Sequence, residues 1–531
     1  MKKILFLIIG TLLVLGLVLP GCGEPVEPGF ENWVTIGIAG PLTFIQGRDH
    51  VAGAEMARDE INDAGGVMVG TTAYGIKLLT ADTNEILDTS GGTGTVALTG
   101  IIGAVDFVVG GFRTEALQVY RDVAMDAEKI FFDAGAATTS LCEDVFLDYD
   151  YYKYFFKATP YNTNFLIANC LRQLKVTNTL LRTEAGLGAG NTTIALIIEN
   201  AEWCIGFKPV LQYLLPTLGF PVVSTQTPAS DDTDLTTELN AIITENGGEE
   251  PMITFTVLSG PPGKAYGLQQ QSILPHTFSV GINVESQDID YHHDTGAQYH
   301  TALDTWAVDV ELTPYTLDFW DEYMAETGRY PTYCAATYDV IKTIKLAIED
   351  VGLATDDIIT WLEDQDNKYT GTASTTTYYP MAALNLTPTM GALSPAQAYA
   401  LYPHLPTYYG HASYAEMAGN WSLYTAAWTT AGGFVPHDTV FGPGWQTGQG
   451  VQWQPVDPAH PELEWEKVGW FPMVLSTTGA NIPADELSLA EMAGLKAAGL
   501  VDQYGNWNYA YTGSVPLAIP AVWTAYWTPT P

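Results

Sequence analysis

The stretch WVTIGIAG, residues Trp33–Gly40, is apolar and rich in β-branched residues, and it stops at a glycine followed by a proline. This pattern predicts a buried β-strand. After a loop, residues 51–64 carry Ala54, Ala57 and Ile61 on one face at helical spacing, and two glycines end the helix. A buried strand followed by an amphipathic helix is typical of a βαβ unit, and such units build a parallel sheet.

The alternation of strand and helix continues along the chain in two blocks. In the first block we predict strands at 76–81, 105–111 and 130–132 and helices at 95–102 and 117–127. In the second block we predict strands at 193–199, 221–227, 252–258 and 277–282, helices at 207–218, 235–245 and 264–271, and later helices at 316–327 and 338–351. The two blocks predict two α/β lobes, with residues 149–160 crossing between them.

The N-terminus is typical of an exported lipoprotein. A basic start precedes an apolar run of about 16 residues, Ile4–Leu19, which is short for a bilayer span of about 20. Leu19–Cys22 resembles a lipoprotein cleavage box, so we expect a signal peptide at 1–21, a lipid on Cys22 and a tether at 22–32. An uncleaved membrane anchor is the alternative, and both place the remaining chain outside the cytoplasm.

The charge balance excludes one class of partner. The chain has 21 Lys and Arg against 60 Asp and Glu, a net charge of −39, although only 15% of its residues are charged. Such a surface repels the phosphates of nucleic acids, so we expect no nucleic-acid partner. The acidity is a solubility feature of an exported protein and does not identify a ligand.

Motifs for catalysis and metal binding are weak. The glycine-rich segment Gly91–Thr95 lacks the P-loop lysine, and no GxSxG elbow is present. Tyr291–Asp294 together with His300 offers metal-binding side chains, but adjacent histidines usually point apart. We therefore expect no enzyme activity, no cofactor and no metal. Besides Cys22, four cysteines allow a disulfide whose pairing the sequence leaves open: Cys142, Cys170, Cys204 and Cys334.

Several motifs, taken in order, resemble the branched-chain amino acid-binding family of periplasmic solute-binding proteins, which have the type I fold and serve ABC importers. The resemblance covers about 33–365 and 434–455. The motifs are Ile36–Thr43, Gly53–Ala54 with Glu60–Gly66, Ala134–Thr138, Tyr333–Asp339, and Gly442–Trp445 through Gln452–Gln454.

The resemblance implies two doubly wound, Rossmann-like lobes joined by a three-crossover hinge, with an inserted segment and a C-terminal tail. We expect lobe 1 at 33–158 and about 313–365, and lobe 2 at 159–312 and about 431–470. Residues 370–430 are then an insertion and 475–531 an accessory tail that packs through its aromatic side chains. Ligands in open α/β sheets bind at the carboxyl ends of the strands, so the cleft between the lobes is the expected site.

In lobe 1, two loops are candidates for the ligand's polar groups. Phe112, Arg113 and Thr114 join a strand to a helix, where backbone N–H groups and the positive helix end suit a carboxylate. Arg113 either clamps that carboxylate or faces solvent or Glu115. Ala136, Ala137 and Thr138 match the family's loop for the ligand's amine and carboxylate, against the alternative that Thr138 caps a helix.

In lobe 2, the resemblance implies Trp203 as an aromatic lid and Glu285 as the acid that neutralises a bound ammonium. Ser259 and Gly260 follow a strand and should reach the cleft, and Tyr333 matches an aromatic wall of the pocket. For Trp203 and Tyr333 the alternative is core packing, and for Glu285 it is an exposed position.

The function implied is capture of a small amino acid-like or carboxylate ligand by hinge closure, followed by delivery to an ABC permease. The alternatives are a surface receptor of the same fold that signals to a partner and, from a different class, an exported hydrolase.

Overall fold

The computed structural model describes residues 29–184, 192–364, 367–373, 375–376, 378, 436–439, 449–471, 515 and 517–527. Three larger sheets organise this part of the chain: a six-stranded sheet in the first lobe, a four-stranded sheet in the second, and a three-stranded sheet built with the late strands.

The first lobe is a six-stranded sheet. Its strands are β1 Asn32–Gly40, β2 Val67–Val69, β3 Thr72–Asp82, β4 Phe107–Gly110, β5 Ile130–Asp133 and β6 Phe155–Lys157. The order is β2-β3-β1-β4-β5-β6, and every neighbouring pair is parallel except β2 with β3. β1 is buried along most of its length, as its sequence predicted.

Helices cover both faces of this sheet. They are α1 Ile45–Asp63, α2 Gly92–Ile101, α3 Thr114–Tyr120, α4 Asp122–Asp126, α5 Ser140–Leu147 and α6 Tyr149–Tyr152. The prediction that residues 149–160 cross between the lobes is wrong for its first part. The helix α6 and the edge strand β6 belong to the first lobe, and the chain leaves the sheet after Lys157.

The second lobe is a parallel sheet of order β10-β9-β7-β8. Its elements are α7 Thr163–Glu184, β7 Ile194–Ile198, α8 Glu202–Ile205, α9 Phe207–Thr217, β8 Val222–Gln226, α10 Thr236–Glu245, β9 Ile253–Leu258, α11 Pro261–Ile273, β10 Phe278–Asn283 and α12 Asp290–Thr295. The long helix α7 was not predicted, because Asn, Gln, Thr and Arg interrupt its apolar pattern.

The remaining elements complete both lobes. They are β11 Thr301–Asp304, α13 Thr316–Thr327, α14 Thr337–Val351, α15 Thr355–Glu363, β12 Tyr369–Thr370, β13 Thr375–Thr376, β14 Gln449–Pro455, β15 Trp465–Phe471 and α16 Ala521–Trp527. α14 and α15 pack into the core of the first lobe, and β14 pairs antiparallel with both β11 and β15. His437–Thr439 lies against β6, although we expected residues from about 431 to belong to the second lobe.

Most of the predicted insertion and tail lies outside the described residues, as do the signal peptide, Cys22 and Gly442–Trp445. The part of the tail that the structure describes packs on the second lobe. In α16, Trp523 is buried and Trp527 donates its ring N–H to the backbone oxygen of His276 at 2.7 Å. Within the described ranges, no helix has the length and apolar character needed to cross a membrane.

The apolar core of the second lobe continues across the cleft. Side chains from β7, β9 and β10 form one contiguous cluster with Phe112, Ala137 and Tyr333 of the first lobe. Within the first lobe, Gly110 lets the loop after β4 turn against β1, since its φ is +130° and a Cβ there would lie 1.8 Å from the backbone oxygen of Ala39. The two lobes therefore meet in a closed arrangement.

Candidate functional site

A cavity lies between the lobes, at the carboxyl ends of the strands. Loops after β4, β5 and β6 line it from the first lobe, loops after β7, β9 and β10 line it from the second, and the segment after β11 closes one side. The lining residues are Phe112, Gly135, Ala137, Pro160, Tyr161, Leu166, Trp203, Ser259, Ile282, Val284, Gln287, Leu303, Asp304, Thr305 and Tyr333. This is the position that doubly wound sheets use for ligands.

The walls of the cavity are mostly apolar and aromatic. Of the predicted site residues, the structure brings Phe112, Ala137, Trp203, Ser259 and Tyr333 together here. Aromatic side chains from both lobes line the cavity, so each lobe supplies part of the binding surface. Such walls suit a flat or branched apolar molecule.

The polar atoms of three lining residues already have partners. The ring N–H of Trp203 donates to Oγ of Ser259 at 3.3 Å, and that hydroxyl donates to the carboxylate of Glu199 at 2.8 Å. The phenol of Tyr333 donates to the backbone oxygen of Gly135 at 2.8 Å. These bonds fix the orientation of both aromatic rings.

The sequence did not indicate Tyr161 as a site residue. It lies just after the cis peptide bond between Thr159 and Pro160, where the chain passes from the first lobe to the second. Its hydroxyl accepts a hydrogen bond from Asn169 at 2.9 Å. The signal that could have found it is an aromatic residue following X-Pro directly after the last strand of the lobe.

Arg113 forms a buried ion pair across the cleft. Its Nη1 lies 2.5 Å from Oε1 of Glu199, and both side chains are fully buried. Arg113 therefore does not face solvent, and its ion-pair partner is Glu199 rather than Glu115. Burial raises the pKa of Glu199, and the charge of Arg113 opposes that rise. Glu199 was not predicted, although it directly follows β7, where side chains reach the cleft.

The site at the start of α3 that was predicted to bind a ligand's carboxylate is occupied by the side chain of Glu85. The backbone N–H groups of Phe112 and Arg113 donate to Oε2 of Glu85 at 3.2 and 2.8 Å. Thr83 and Tyr120 donate their hydroxyls to Oε1 of Glu85 at 2.7 and 3.1 Å. Burial raises the pKa of Glu85 to about 7, and these bonds oppose the rise.

The second predicted loop of lobe 1, Ala136–Thr138, forms hydrogen bonds with neighbouring residues of the protein. Thr114 and Thr138 share a hydrogen bond between their hydroxyls at 2.7 Å, and the backbone N–H of Ala136 donates to Asp133 at 2.8 Å. The backbone oxygen of Ala137 accepts from the N–H and hydroxyl of Thr163, at the start of α7. Thr114, Ala136 and Thr138 thus lie beside the cavity without lining it, and α5 has no side-chain cap from Thr139.

Glu285 and Gly260 lie at the cleft but outside the cavity wall. Glu285 accepts a hydrogen bond from the side chain of Gln46 at 2.9 Å, which joins the two lobes. Burial raises the pKa of Glu285 to about 7. Gly260 has a φ of +67° and lies next to the guanidinium of Arg113, so it positions the loop that follows Ser259.

A second buried ion pair borders the cavity. Asp304, which lines it, pairs with Lys467 of β15, and both side chains are fully buried. Lys467 also donates to the backbone oxygen of Gln287 at 2.9 Å. The sequence did not single out either residue, because they are far apart in the chain.

The histidines at 292, 293 and 300 do not converge. His292 bonds to the backbone oxygen of Ala297 and stacks on Trp465, His293 is exposed, and His300 is buried among aromatic rings. In the described part of the chain, no group of three or more potential ligands could hold a metal ion. Cys142, Cys170, Cys204 and Cys334 are buried with free thiols, so they form no disulfide with one another.

A cavity between two facing doubly wound lobes is characteristic of the type I periplasmic binding protein fold, an architecture of extracytoplasmic solute-binding proteins. The sequence comparison agrees, because the Periplasmic binding protein family model matches residues 34–380. The chain belongs to this family. No curated protein matches the sequence.

Solved structures show the same fold. LivJ, the branched-chain amino acid transporter substrate-binding protein of Streptococcus pneumoniae, solved with isoleucine, is 16% identical with a TM-score of 0.52, covering 66% of this chain and 93% of its own. A solute-binding protein from Rhodopseudomonas palustris BisB5 with 3,4-dihydroxybenzoic acid is 14% identical with a TM-score of 0.52, covering 65% and 89%. Another from R. palustris, with benzoate, is 12% identical with a TM-score of 0.51, covering 66% and 90%.

Proposed function

We propose that the protein is the solute-binding component of an ABC importer and captures a small organic molecule between its lobes by hinge closure. The observation that carries this proposal is the cavity at the carboxyl ends of both sheets, lined by Phe112 and Tyr333 from one side and Trp203 from the other. A molecule in that cavity contacts both lobes at once. It therefore favours the closed form over an open one by the contacts that exist only on closure.

Polar contacts between the lobes support a hinge mechanism. Arg48 of α1 pairs with Asp288 at 2.9 Å, and Arg113 pairs with Glu199 at 2.5 Å. All of these groups regain water when the lobes separate, so the bridges define a closed state that can reopen. The membrane permease would then recognise the closed form and accept the solute.

The ligand has an apolar body in this proposal. Among the solved relatives, isoleucine, 3,4-dihydroxybenzoic acid and benzoate each combine an apolar body with a carboxylate. The sequence-based hypothesis, an amino acid-like or small carboxylate ligand, agrees with them. The apolar walls of the cavity support the body of such a ligand, whereas Arg113, the expected partner of its carboxylate, is already paired with Glu199.

We propose that the chain is exported and held at the membrane by a lipid on Cys22. The basic start, the short apolar run and the LPGC sequence support this. Labelling cells with a radioactive fatty acid should mark the wild-type protein and leave Cys22→Ala unmarked. Labelling of the variant would show that Cys22 is not the attachment site.

Binding rather than catalysis is the function that the geometry supports. In the described residues that border the cavity, Ser259 donates to Glu199 and has no histidine partner. The runner-up is a receptor of the same fold, and neighbouring genes for a permease and ATPase, as opposed to a kinase, would decide between the two. Turnover of esters or amides would favour a hydrolase.

A thermal-shift screen of the purified, detergent-extracted protein tests the proposal. The panel contains branched and aromatic amino acids, small carboxylates and their amides. A compound at a hundred times its dissociation constant should stabilise the protein by about 2.7 kcal/mol and raise its melting temperature. If no compound does so, and small-angle scattering shows no change in the radius of gyration with any of them, the proposal fails.

A further inference from the structure

We infer that the cleft selects an uncharged ligand, an apolar or aromatic body with at most neutral polar groups, over an amino acid or a carboxylate. The inference rests on the proposed function and sharpens it, because it names the chemical class of the solute. It depends on how the charged groups around the cavity are already used.

The site that would bind a carboxylate in the first lobe is filled. The backbone N–H groups of Phe112 and Arg113, just before α3, both donate to the carboxylate of Glu85. The hydroxyls of Thr83 and Tyr120 donate to it as well. Glu85 is fully buried. A ligand carboxylate could reach these donors only by displacing a buried acid that belongs to the fold.

The cation that would attract a carboxylate is neutralised. Glu199 lies 2.5 Å from Arg113 and also accepts the backbone N–H and hydroxyl of Ser259 at 2.6 and 2.8 Å. Nε and Nη1 of Arg113 form no well-aligned hydrogen bond. Arg113 is fully buried, its charge is balanced by Glu199 and it is not among the residues that line the cavity, so it presents no free charge to a ligand's carboxylate.

Among the described residues, the second lobe presents no unpaired carboxylate on the cavity wall to neutralise an ammonium group. Asp304 is paired with Lys467 and accepts the backbone N–H of Thr305 at 2.6 Å. Glu285 lies behind the wall, where it accepts from Gln46.

An uncharged ligand loses the least on entering this cavity. A charged group would be stripped of water with no opposite charge to replace it, whereas an apolar body gains from burial against Phe112, Tyr161 and Trp203. The Arg113–Glu199 ion pair then joins the two lobes and does not bind the ligand.

Matched pairs of compounds that differ only in charge test this inference. We would titrate the purified full-length protein with benzamide and benzoate, 3,4-dihydroxybenzamide and 3,4-dihydroxybenzoate, and 4-methylpentanamide and 4-methylpentanoate, with isoleucine as the zwitterion. Calorimetry should show the amide binding at least tenfold tighter than its carboxylate in the pair that fits best. This comparison uses the wild-type protein, so it does not depend on the folding of any variant.

The double variant Arg113→Met/Glu199→Met supplies the second measurement. It replaces the ion pair by apolar side chains of similar length, and the amide should still bind at least tenfold tighter than its matched carboxylate, because the pair does not bind the ligand in this inference. Tighter binding of a carboxylate or of isoleucine, lost at least tenfold in the double variant, would overturn the inference while the proposed function stands. Failure of every compound to bind the wild type would overturn both.

Discussion

Replacing Arg113 by Met should open the cleft. The substitution leaves Glu199 fully buried without its counter-charge, and truncating one member of a buried ion pair costs about 3–5 kcal/mol. Glu199 keeps its hydrogen bonds from Ser259 at 2.6 and 2.8 Å, so we take the lower end, about 3 kcal/mol. Because Glu199 regains water when the lobes part, this free energy appears as opening rather than as unfolding. It corresponds to a roughly 150-fold shift of the closed–open equilibrium.

Single-molecule energy transfer between the lobes measures this opening. Val96 in α2 and Tyr213 in α9 are 76% and 73% exposed, so cysteines there accept dyes, whereas the four native cysteines in the described residues are buried. Arg113→Met should lengthen the distance between the dyes in the absence of ligand. Adding Glu199→Met should restore the closed distance, because no unpaired buried charge remains.

Lys153→Met is the matched control. It also removes a cation from an ion pair, but its partner Asp356 lies in the same lobe and is 79% exposed. The distance between the dyes should stay at the wild-type value. If Arg113→Met gives the same distance distribution as this control, the ion pair does not hold the lobes together and the reasoning is refuted.

Three further predictions concern the site and its supports. Trp203→Ala removes an aromatic wall and should weaken ligand binding about tenfold by calorimetry. Burial raises the pKa of Glu85 from 4.5 to about 7, so the stability that its protonated form contributes is fully present below pH 4.5 and is lost as the pH rises through 7. In urea unfolding, the free energy of unfolding of the wild type should therefore fall by about 3 kcal/mol over this range because of Glu85, and Glu85→Gln should remove that fall. Lys467→Met leaves Asp304 buried and unpaired and should lower the free energy of unfolding by about 3 kcal/mol, part of which Asp304→Asn restores.

Each of these expectations has an outcome that contradicts it. Unchanged affinity in Trp203→Ala would place the ligand elsewhere in the cleft. A Glu85→Gln variant whose stability falls between pH 5 and 7 as steeply as the wild type would show that another group titrates there. An unaltered urea midpoint for Lys467→Met would mean that Asp304 reaches water when its partner is lost.

Local patterns in the sequence predicted about half of the strands and helices that the structure describes. The strand predicted at Trp33–Gly40 is β1, one residue longer, and the helix predicted at 316–327 is α13 with the same bounds. A run of β-branched residues or a helical period is a property of neighbouring residues, so it can be read without the fold. Among the elements that were missed, β2 has only three residues, too few to show a period, and polar residues break the pattern of the long helix α7.

The position of the site also followed from the sequence, since parallel strands end at the same edge of a sheet. The roles of the polar residues did not. The sequence presented Arg113 and the start of α3 as a place for a ligand's carboxylate, and the folded chain fills that place with Glu85 and Glu199.

What the sequence alone determined is a chain of two α/β lobes, because hydrophobic periodicity and glycine turns are encoded locally, whereas the cleft between the lobes was implied by the resemblance to the solute-binding family. Only the tertiary structure decided which charges remain for a ligand. Ion pairs such as Arg113–Glu199 and Asp304–Lys467 join residues from distant parts of the chain. Whether a buried charge is satisfied depends on distance in space, which no local pattern records.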